Sequence, residues 1–250
     1  IDRGDVVAQL RENLPTVRHV VHVAVLDRPA PDGATPWDEL LATDAAPEFE
    51  QVEFSHPLWV MFTSGTTGLP KGLVHGHGGI TLQGLEWAGL YGGLRTGERM
   101  FTYTSTGWAL WNIQLDALTQ GASIVLYEGS PNHPAGAIWE VAARTGADLM
   151  LLGAAVVMAT ANTGVSPRQE HDLSRLRHVS VSGSALLLAG NEWLLEHVGD
   201  LRIDSTSGGT DISGSFVGAN EYAPVQAGRI GGKIAGVDCA AWDEDGNPVV

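Results

Sequence analysis

The sequence predicts an α/β protein: a doubly wound, mostly parallel sheet with flanking helices, followed by the start of a small β-rich subdomain. After residue 57, apolar runs alternate with amphipathic stretches, which is typical of parallel strands joined by crossover helices. After Pro224 the chain changes to short strands separated by glycine turns. The 250 residues are 44% apolar and include eight tryptophans, enough for a buried core.

The elements follow in order along the chain. A helix is expected to close at residues 11–15, and the apolar run 20–26 is of the buried-strand type. The proline-punctuated stretch 27–56 reads as a long connection with one short helix near 37–42. The strands predicted beyond it are 58–62, 99–103, 123–126, 149–152, 178–182 and 202–205, and the helices are 80–90, 108–118, 135–144, 156–162 and 189–197.

These elements predict three segments. Residues 1–56 form the end of a preceding α/β subdomain with its connection, 57–223 form a ligand-binding α/β subdomain, and 224–250 open the β-rich subdomain. Because the chain starts at Ile1 and finishes in a strand-like stretch, we expect it to be cut at both ends.

Charge and cysteine content exclude several classes of protein. The 29 acidic against 14 basic residues give a net charge of −15, which repels nucleic acid and anionic membranes. The single cysteine, Cys239, cannot form an internal disulfide, which favours a cytoplasmic location. The longest apolar stretch, 149–161, falls short of the ~20 residues that span a bilayer. We therefore expect small-molecule ligands, with neither nucleic acid nor membrane as partner.

The most informative motif directly follows the apolar run 58–62. Glycines there let backbone N–H groups approach an anion, hydroxyl groups donate hydrogen bonds, and a lysine adds a mobile charge, which together suit the phosphates of a nucleotide. A P-loop is disfavoured because Pro70 and Gly72 flank the lysine. A flexible surface turn is the alternative. The candidate phosphate-binding residues are Thr63, Ser64, Gly65, Thr66, Thr67, Gly68 and Lys71.

Two further glycine- and hydroxyl-rich loops follow predicted strands. They cover residues 182–185 and 205–211. Since the carboxyl ends of parallel strands share one edge of a sheet, a single nucleotide could contact all three loops. A plain βα turn is the alternative for the first, and a capping role for Asp211 is the alternative for the second.

His75 and His77 raise the question of a metal site. Zinc needs further ligands, and glycines rather than acids or cysteines surround this pair. A turn that enters a helix behind the phosphate loop is favoured instead.

The three loops together resemble the signature motifs of the adenylate-forming superfamily. Within it, the chain resembles the acetoacetyl-CoA synthetase family along essentially its whole length. The stretches that carry this likeness are 57–71, 74–79, 106–108 with Trp111-Asn112, 124–131 and 207–212. Ala185 and Arg229 depart from the family's usual proline and glutamate.

The resemblance implies an AMP-forming acid–CoA ligase that takes ATP, Mg²⁺, CoA and a small carboxylic acid, with acetoacetate favoured. Another short-chain acyl-CoA synthetase (acetate or propionate) and a non-catalytic nucleotide-binding fragment are the alternatives. It also implies that three elements lie outside this chain: the ribose-binding aspartate of a later strand-turn, the hinge residue, and the lysine of a small C-terminal domain. The isolated chain should therefore be poorly active.

The resemblance further implies roles for individual residues. Lys71, Thr210 and Asp211 would be catalytic, and Asp211, where the superfamily usually has glutamate, would hold Mg²⁺. Trp108 would close the acyl pocket, although Trp108 and Trp111 could instead be core residues on one helical face. The residues implied to lie against the adenine are Gly183, Ser184, Ala185, Ser207, Gly208 and Gly209, with Thr210 in contact with the α-phosphate or the metal.

Overall fold

The computed structural model describes residues 4–25, 29–63, 68–220 and 222–249. The chain divides into two compact units, Ile1–Gln51 and Val52–Val250. The sequence-predicted divisions after residues 56 and 223 stay predictions.

The first unit contains helix α1 (Gly4–Asn13), strands β1 (Val21–His22) and β2 (Thr35–Pro36), and helix α2 (Trp37–Leu41). The helix predicted near 37–42 is present. The prediction of a buried strand over 20–26 is wrong for its described part, because β1 is two residues long and Val21 is 43% exposed. None of the described residues of this unit is buried, so the apolar run has no core to face.

The second unit begins with a β-hairpin. Strand β3 (Pro57–Thr63) pairs antiparallel with β4 (Lys71–Gly76), and Thr63 lies opposite Lys71. The sequence-based prediction placed 58–62 among the parallel strands, which is wrong. Only residues 64–70 separate the two strands, too few for the crossover that a parallel pair needs. Residues 64–67 of the phosphate loop lie outside the described residues.

A continuous helical segment follows the hairpin. Helix α3 (His77–Gly84) leads directly into a π-helix, Leu85–Tyr91. The helix predicted at 80–90 is therefore present but begins three residues earlier, where Gly76 is still extended.

A five-stranded parallel sheet confirms the predicted fold class. It contains β5 (Arg99–Thr102), β6 (Ser123–Val125), β7 (Leu149–Gly153), β8 (His178–Ser182) and β9 (Arg202–Ser205). The order is β6-β5-β7-β8-β9, and every neighbouring pair is parallel. From β5 the chain crosses to β6 on one side of β5, and from β6 it crosses back to β7 on the other side. The topological switch point therefore lies between β5 and β7.

The connecting helices are α4 (Ala109–Gln114), α5 (Asp116–Thr119), α6 (Ala137–Thr145), α7 (Ala154–Ala161), α8 (Pro167–Glu170) and α9 (Leu188–His197). The helix predicted at 108–118 is split in two, with Trp108 extended at its start. The ends of the others differ from the predictions by a few residues at most.

Strand β7 separates two hydrophobic cores. Leu149 and Leu151 pack with Trp87 of the π-helix on one face, whereas Met150 and Leu152 pack with Trp139 of α6 on the other. Side chains alternate between the faces of a strand, so a continuous apolar run fits a strand that is covered on both sides. Helices on both faces are what the doubly wound prediction requires.

Three short antiparallel pairings complete the unit. Strand β10 (Ser207–Gly209) pairs with β11 (Gly214–Gly218), β11 pairs with β12 (Gly232–Lys233), and β13 (Ala241–Trp242) pairs with β14 (Pro248–Val249). The predicted loop 205–211 is thus partly a hairpin strand, and Asp211 lies in the hairpin turn rather than before a helix.

Candidate functional site

A cavity of about 830 Å³ opens at the carboxyl edge of the parallel sheet. Residues that follow β5 and residues that follow β7 both line it, which places it at the switch point. The hairpins β3–β4 and β10–β11 supply further wall residues. We call it the edge cavity; loop amides and hydroxyl groups converge there, as the sequence predicted for this edge.

The edge cavity brings together residues from every predicted loop that the structure describes. They are Thr63 at the end of β3, Trp108 before α4, Gly183 after β8, and Gly208, Gly209 and Thr210 in the hairpin β10–β11. Trp108 is 66% exposed, which rules out the alternative that it is a core residue. Of the other predicted residues, Gly68, Ser184, Ala185 and Ser207 are exposed and outside the described wall, and Ser64–Thr67 lie outside the described residues.

Lys71 and Asp211 lie beside the edge cavity. Lys71 is exposed and pairs across the hairpin with Thr63, a wall residue. Asp211 is also exposed, and its Oδ2 lies 4.0 Å from the place that a Cβ on Gly209 would take. Both charges therefore neighbour residues that line the same cavity.

His75 links the two hairpins. Its Nε2 donates a hydrogen bond to the carbonyl oxygen of Thr210, at 2.8 Å. Strand geometry puts Lys71 within about 13 Å of His75 along β4. Sequence reasoning missed this role because a single histidine gives no sign of a partner 135 residues away.

His77 has a different, local partner. Its Nδ1 donates to the carbonyl oxygen of His56 at 2.9 Å, where the first turn of α3 begins. Over the part of the chain that the structure describes, no group of three His, Cys, Asp or Glu side chains could hold a metal ion.

Two glycines in the wall have geometric reasons to be glycine. Gly183 has φ +83°, a left-handed conformation that side chains rarely adopt. A Cβ on Gly208 would collide with the carbonyl oxygen of Gly214 in the facing strand. These positions keep backbone exposed to the cavity, as close approach to a ligand requires.

Asp116, at the start of α5, is the one carboxyl in the described wall. Its residue is 5% exposed, and burial raises the pKa of its carboxyl from 3.8 to about 7. Sequence reasoning passed over it because only the fold reveals that this side chain turns inward.

The hairpin turn opposite contributes Ser213. It is 2% exposed and lines the edge cavity, and its Oγ has no hydrogen-bond partner among the described residues. Its φ of 50° is uncommon for a residue with a side chain. Such conformations cluster at ligand-binding sites.

This fold, with hydroxyl- and glycine-rich loops around a cavity at the switch point, matches a known class of nucleotide-binding enzymes. The family model of AMP-binding enzymes matches residues 1–250, and the chain belongs to this family.

Several curated relatives are similar to this chain. The acetoacetyl-CoA synthetase of Gallus gallus is 38% identical over 219 residues, covering 85% of this chain and 33% of the relative. The acetoacetyl-coenzyme A synthetase of Rhizobium meliloti is 39% identical over 220 residues, covering 87% of this chain and 34% of the relative. The chain thus spans about a third of the length of these relatives.

A solved structure agrees with this likeness. The acetoacetyl-CoA synthetase from Streptomyces lividans superimposes with a TM-score of 0.93 and 46% identity, over 99% of this chain and 39% of the other. In the described ranges, no helix combines the length and the apolar character that crossing a bilayer demands.

Proposed function

We propose that the protein carrying this sequence is an ATP-dependent, AMP-forming acid–CoA ligase that activates acetoacetate. The observation that carries the proposal is the edge cavity, in which the last residues of β3, residues following β5 and β8, and residues of the β10–β11 hairpin face one space. The names of the relatives, all acetoacetyl-CoA synthetases, support the choice of acid.

The proposed reaction has two steps. A carboxylate oxygen of the acid bonds to the α-phosphorus of ATP, the bond from that phosphorus to the bridging oxygen breaks, and pyrophosphate leaves. The sulfur of CoA then bonds to the acyl carbon, AMP leaves, and the thiol proton passes to solvent. Charge that develops on the departing pyrophosphate is the main barrier that fixed donors can lower.

The residues proposed for the nucleotide form three groups. The first is the phosphate loop, Thr63–Gly68, followed by Lys71, whose ammonium group would neutralise phosphate charge. In the second, Thr210 would donate its hydroxyl hydrogen. The backbone proposed to lie against the adenine belongs to Gly183, Ser184, Ala185, Ser207, Gly208 and Gly209.

The residues present fit Mg²⁺. Asp211 offers an exposed carboxylate beside the Thr210 hydroxyl, and among the described residues it has no ion-pair partner. Mg²⁺ is bound through one or two carboxylates together with phosphates and water. When bound, the ion would supply positive charge beside the phosphates.

Lys71→Ala tests the proposal, with Lys233→Ala as the matched control. Lys233 is also exposed and lies on β12, outside the described cavity wall. In the full-length protein, acetoacetate-dependent exchange of pyrophosphate into ATP should fall about 10²–10³-fold for Lys71→Ala, by analogy with the loss of one oxyanion donor. Lys233→Ala should exchange at the unchanged rate.

The same assay separates the alternatives. If kcat/KM is higher for acetate or propionate than for acetoacetate, the proposed substrate is wrong and the proposed ligase activity stands. Tight calorimetric binding of ATP without exchange with any acid would indicate a nucleotide-binding module instead. Full exchange activity in Lys71→Ala would show that this lysine is not part of the proposed site.

A further inference from the structure

Part of the wall of the edge cavity is apolar. Trp87, Ile113 and Leu151 line the cavity and pack in one hydrophobic cluster, and Asp116, with only 5% of its surface exposed, lines the same cavity. None of the residues proposed above for the nucleotide uses this carboxyl. Burying a carboxyl without a hydrogen-bond partner costs free energy, so its presence in this wall calls for an explanation.

The fold makes room for this carboxyl but gives it no partner. A Cβ on Gly84 of α3 would lie 2.7 Å from Asp116 Oδ1, so the bare backbone of α3 is what accommodates the side chain. In the described part of the chain no hydrogen bond or ion pair to the carboxyl oxygens is present.

The described elements packed against α5 provide no cationic partner for the Asp116 carboxyl. Helix α5 packs against α3, the π-helix, α4 and β6, and those elements carry three titratable side chains. His77 donates to His56, the Tyr91 hydroxyl accepts from the N–H of Ala235, and Glu86 is partly exposed. Burial raises the pKa of Glu86 as well.

Two further residues carry an unpartnered polar atom. Ser213 Oγ belongs to a wall residue and is unpartnered, and the amide nitrogen of Gln83 is buried and unpartnered among the described residues. Gln83 precedes Gly84, and its amide lies where a Cβ on Gly214 would be. Gly84 thus neighbours Asp116, Gln83 neighbours the residue after Ser213, and Asp116 and Ser213 line the same cavity.

We propose that Asp116, with Ser213, is a specificity-determining residue that hydrogen-bonds the 3-oxo oxygen of the acyl substrate and so selects a 3-oxo acid over the saturated acid of the same length. This inference rests on the proposed ligase function. An unpartnered buried donor costs roughly 1–3 kcal/mol. A 3-oxo group meets that need, whereas a methylene group leaves it unmet.

The protonation of Asp116 determines the sign of this preference. Only the neutral carboxyl can donate to a carbonyl oxygen, and its anion would repel that oxygen. Because burial raises the pKa of Asp116 to about 7, the donor is mostly present at pH 6 and mostly lost at pH 8. Preference for a substrate with an ammonium group would depend on pH in the opposite way, because that group pairs with ionised Asp116.

The test measures kcat/KM for acetoacetate and butyrate with the full-length protein at pH 6 and pH 8. For the wild type, the ratio of the two values should fall about tenfold between these pH values, following the fraction of neutral acid. Asp116→Asn keeps a donor that does not titrate, so its ratio should stay constant. Asp116→Leu should lose the preference by at least tenfold while butyrate is used equally well or better.

Each contrary outcome has a distinct meaning. A ratio that is the same in all three proteins and at both pH values overturns this inference and leaves the ligase function standing. A preference for 3-aminobutyrate that grows with pH overturns it in favour of an ion pair. If no acid supports pyrophosphate exchange, the ligase function fails, and equal calorimetric affinities for the two acids then overturn the inference independently.

Discussion

At the scale of a single residue, Asp116 shows how the fold changes the ionisation of a side chain. The same side chain on a surface helix would be ionised at neutral pH. Here the cavity wall raises the pKa of the carboxyl to about 7, so the residue changes charge within the physiological range. Nothing in the residues around position 116 indicates this, since the shift comes from burial, and Gly84, which packs against the carboxyl, is distant in sequence.

This pKa predicts a dependence of folding stability on pH. The pKa of Asp116 is higher in the folded state than in the unfolded state. The contribution of this carboxyl to folding stability is therefore fully present below about pH 4 and is lost as the pH rises through about 7. The shift from 3.8 to about 7 corresponds to at most roughly 4 kcal/mol. Thermal unfolding of wild type and Asp116→Asn between pH 4 and pH 8 should therefore converge at low pH and diverge at high pH, with Asn the more stable.

Asp200→Asn is the control, because Asp200 is an exposed carboxyl. Its unfolding curves should parallel those of the wild type. Parallel curves for Asp116→Asn as well would show that this carboxyl does not gain a proton on folding.

At the scale of elements, strand β4 and the turn between β10 and β11 are joined by one side chain. His75 crosses from the phosphate-loop hairpin to Thr210, so it fixes how the two sides of the proposed nucleotide site face each other. We describe His75 as a positioning residue because its contact is to backbone. The resemblance to a known family pointed to the loops but not to this connection.

His75→Ala should weaken ATP binding by about 5–15-fold, because one partly buried hydrogen bond contributes about 1–1.5 kcal/mol. His77→Ala is the matched control, since it also removes an imidazole bonded to a carbonyl, but away from Thr210. Calorimetric titration of ATP into the full-length variants would measure this. Equal losses in the two variants would assign His75 a role in general stability only.

At the scale of the whole second unit, Arg202 joins the sheet to two neighbouring segments. Its guanidinium group donates to the carbonyl oxygens of Tyr91 and Ala219, at 2.9 and 2.6 Å, and to Asp204 at 2.8 Å. His178 Nε2 lies 3.1 Å from the same carboxylate. Burial opposes the charge of Asp204, but His178 and Arg202 outweigh it, so its pKa lies below the usual range.

Arg202→Met should lower the free energy of unfolding by about 3–5 kcal/mol, because it leaves a buried carboxylate with less compensation. Arg144→Met is the matched control: Arg144 makes an exposed ion pair with Glu140 at 3.5 Å, within one helix. That variant should lose at most about 1 kcal/mol. Urea unfolding at pH 7 measures both values, and similar small losses would contradict the structural role of Arg202.

The local signals in the sequence were sufficient for most elements. The segments 178–182 and 202–205 form strands with the predicted ends. The apolar run at 149–152 also forms a strand, as expected of a strand that is covered on both faces. The run at 58–62 also forms a strand, but its antiparallel partner was not predicted. An apolar run does not encode its neighbour, and the run at 20–26 shows that it does not encode burial either.

The fold class and the loops proposed to hold the nucleotide could be predicted from the residues, because hydrophobic period, glycines and hydroxyl groups act over a few neighbouring positions, and the resemblance of the motifs in those loops indicated the family. That His75 reaches Thr210, and that Asp116 and Ser213 share a cavity, became visible only in the folded chain. The physical reason is that a buried polar group derives its hydrogen bonds and its pKa from residues far away in the chain, and folding alone brings these together.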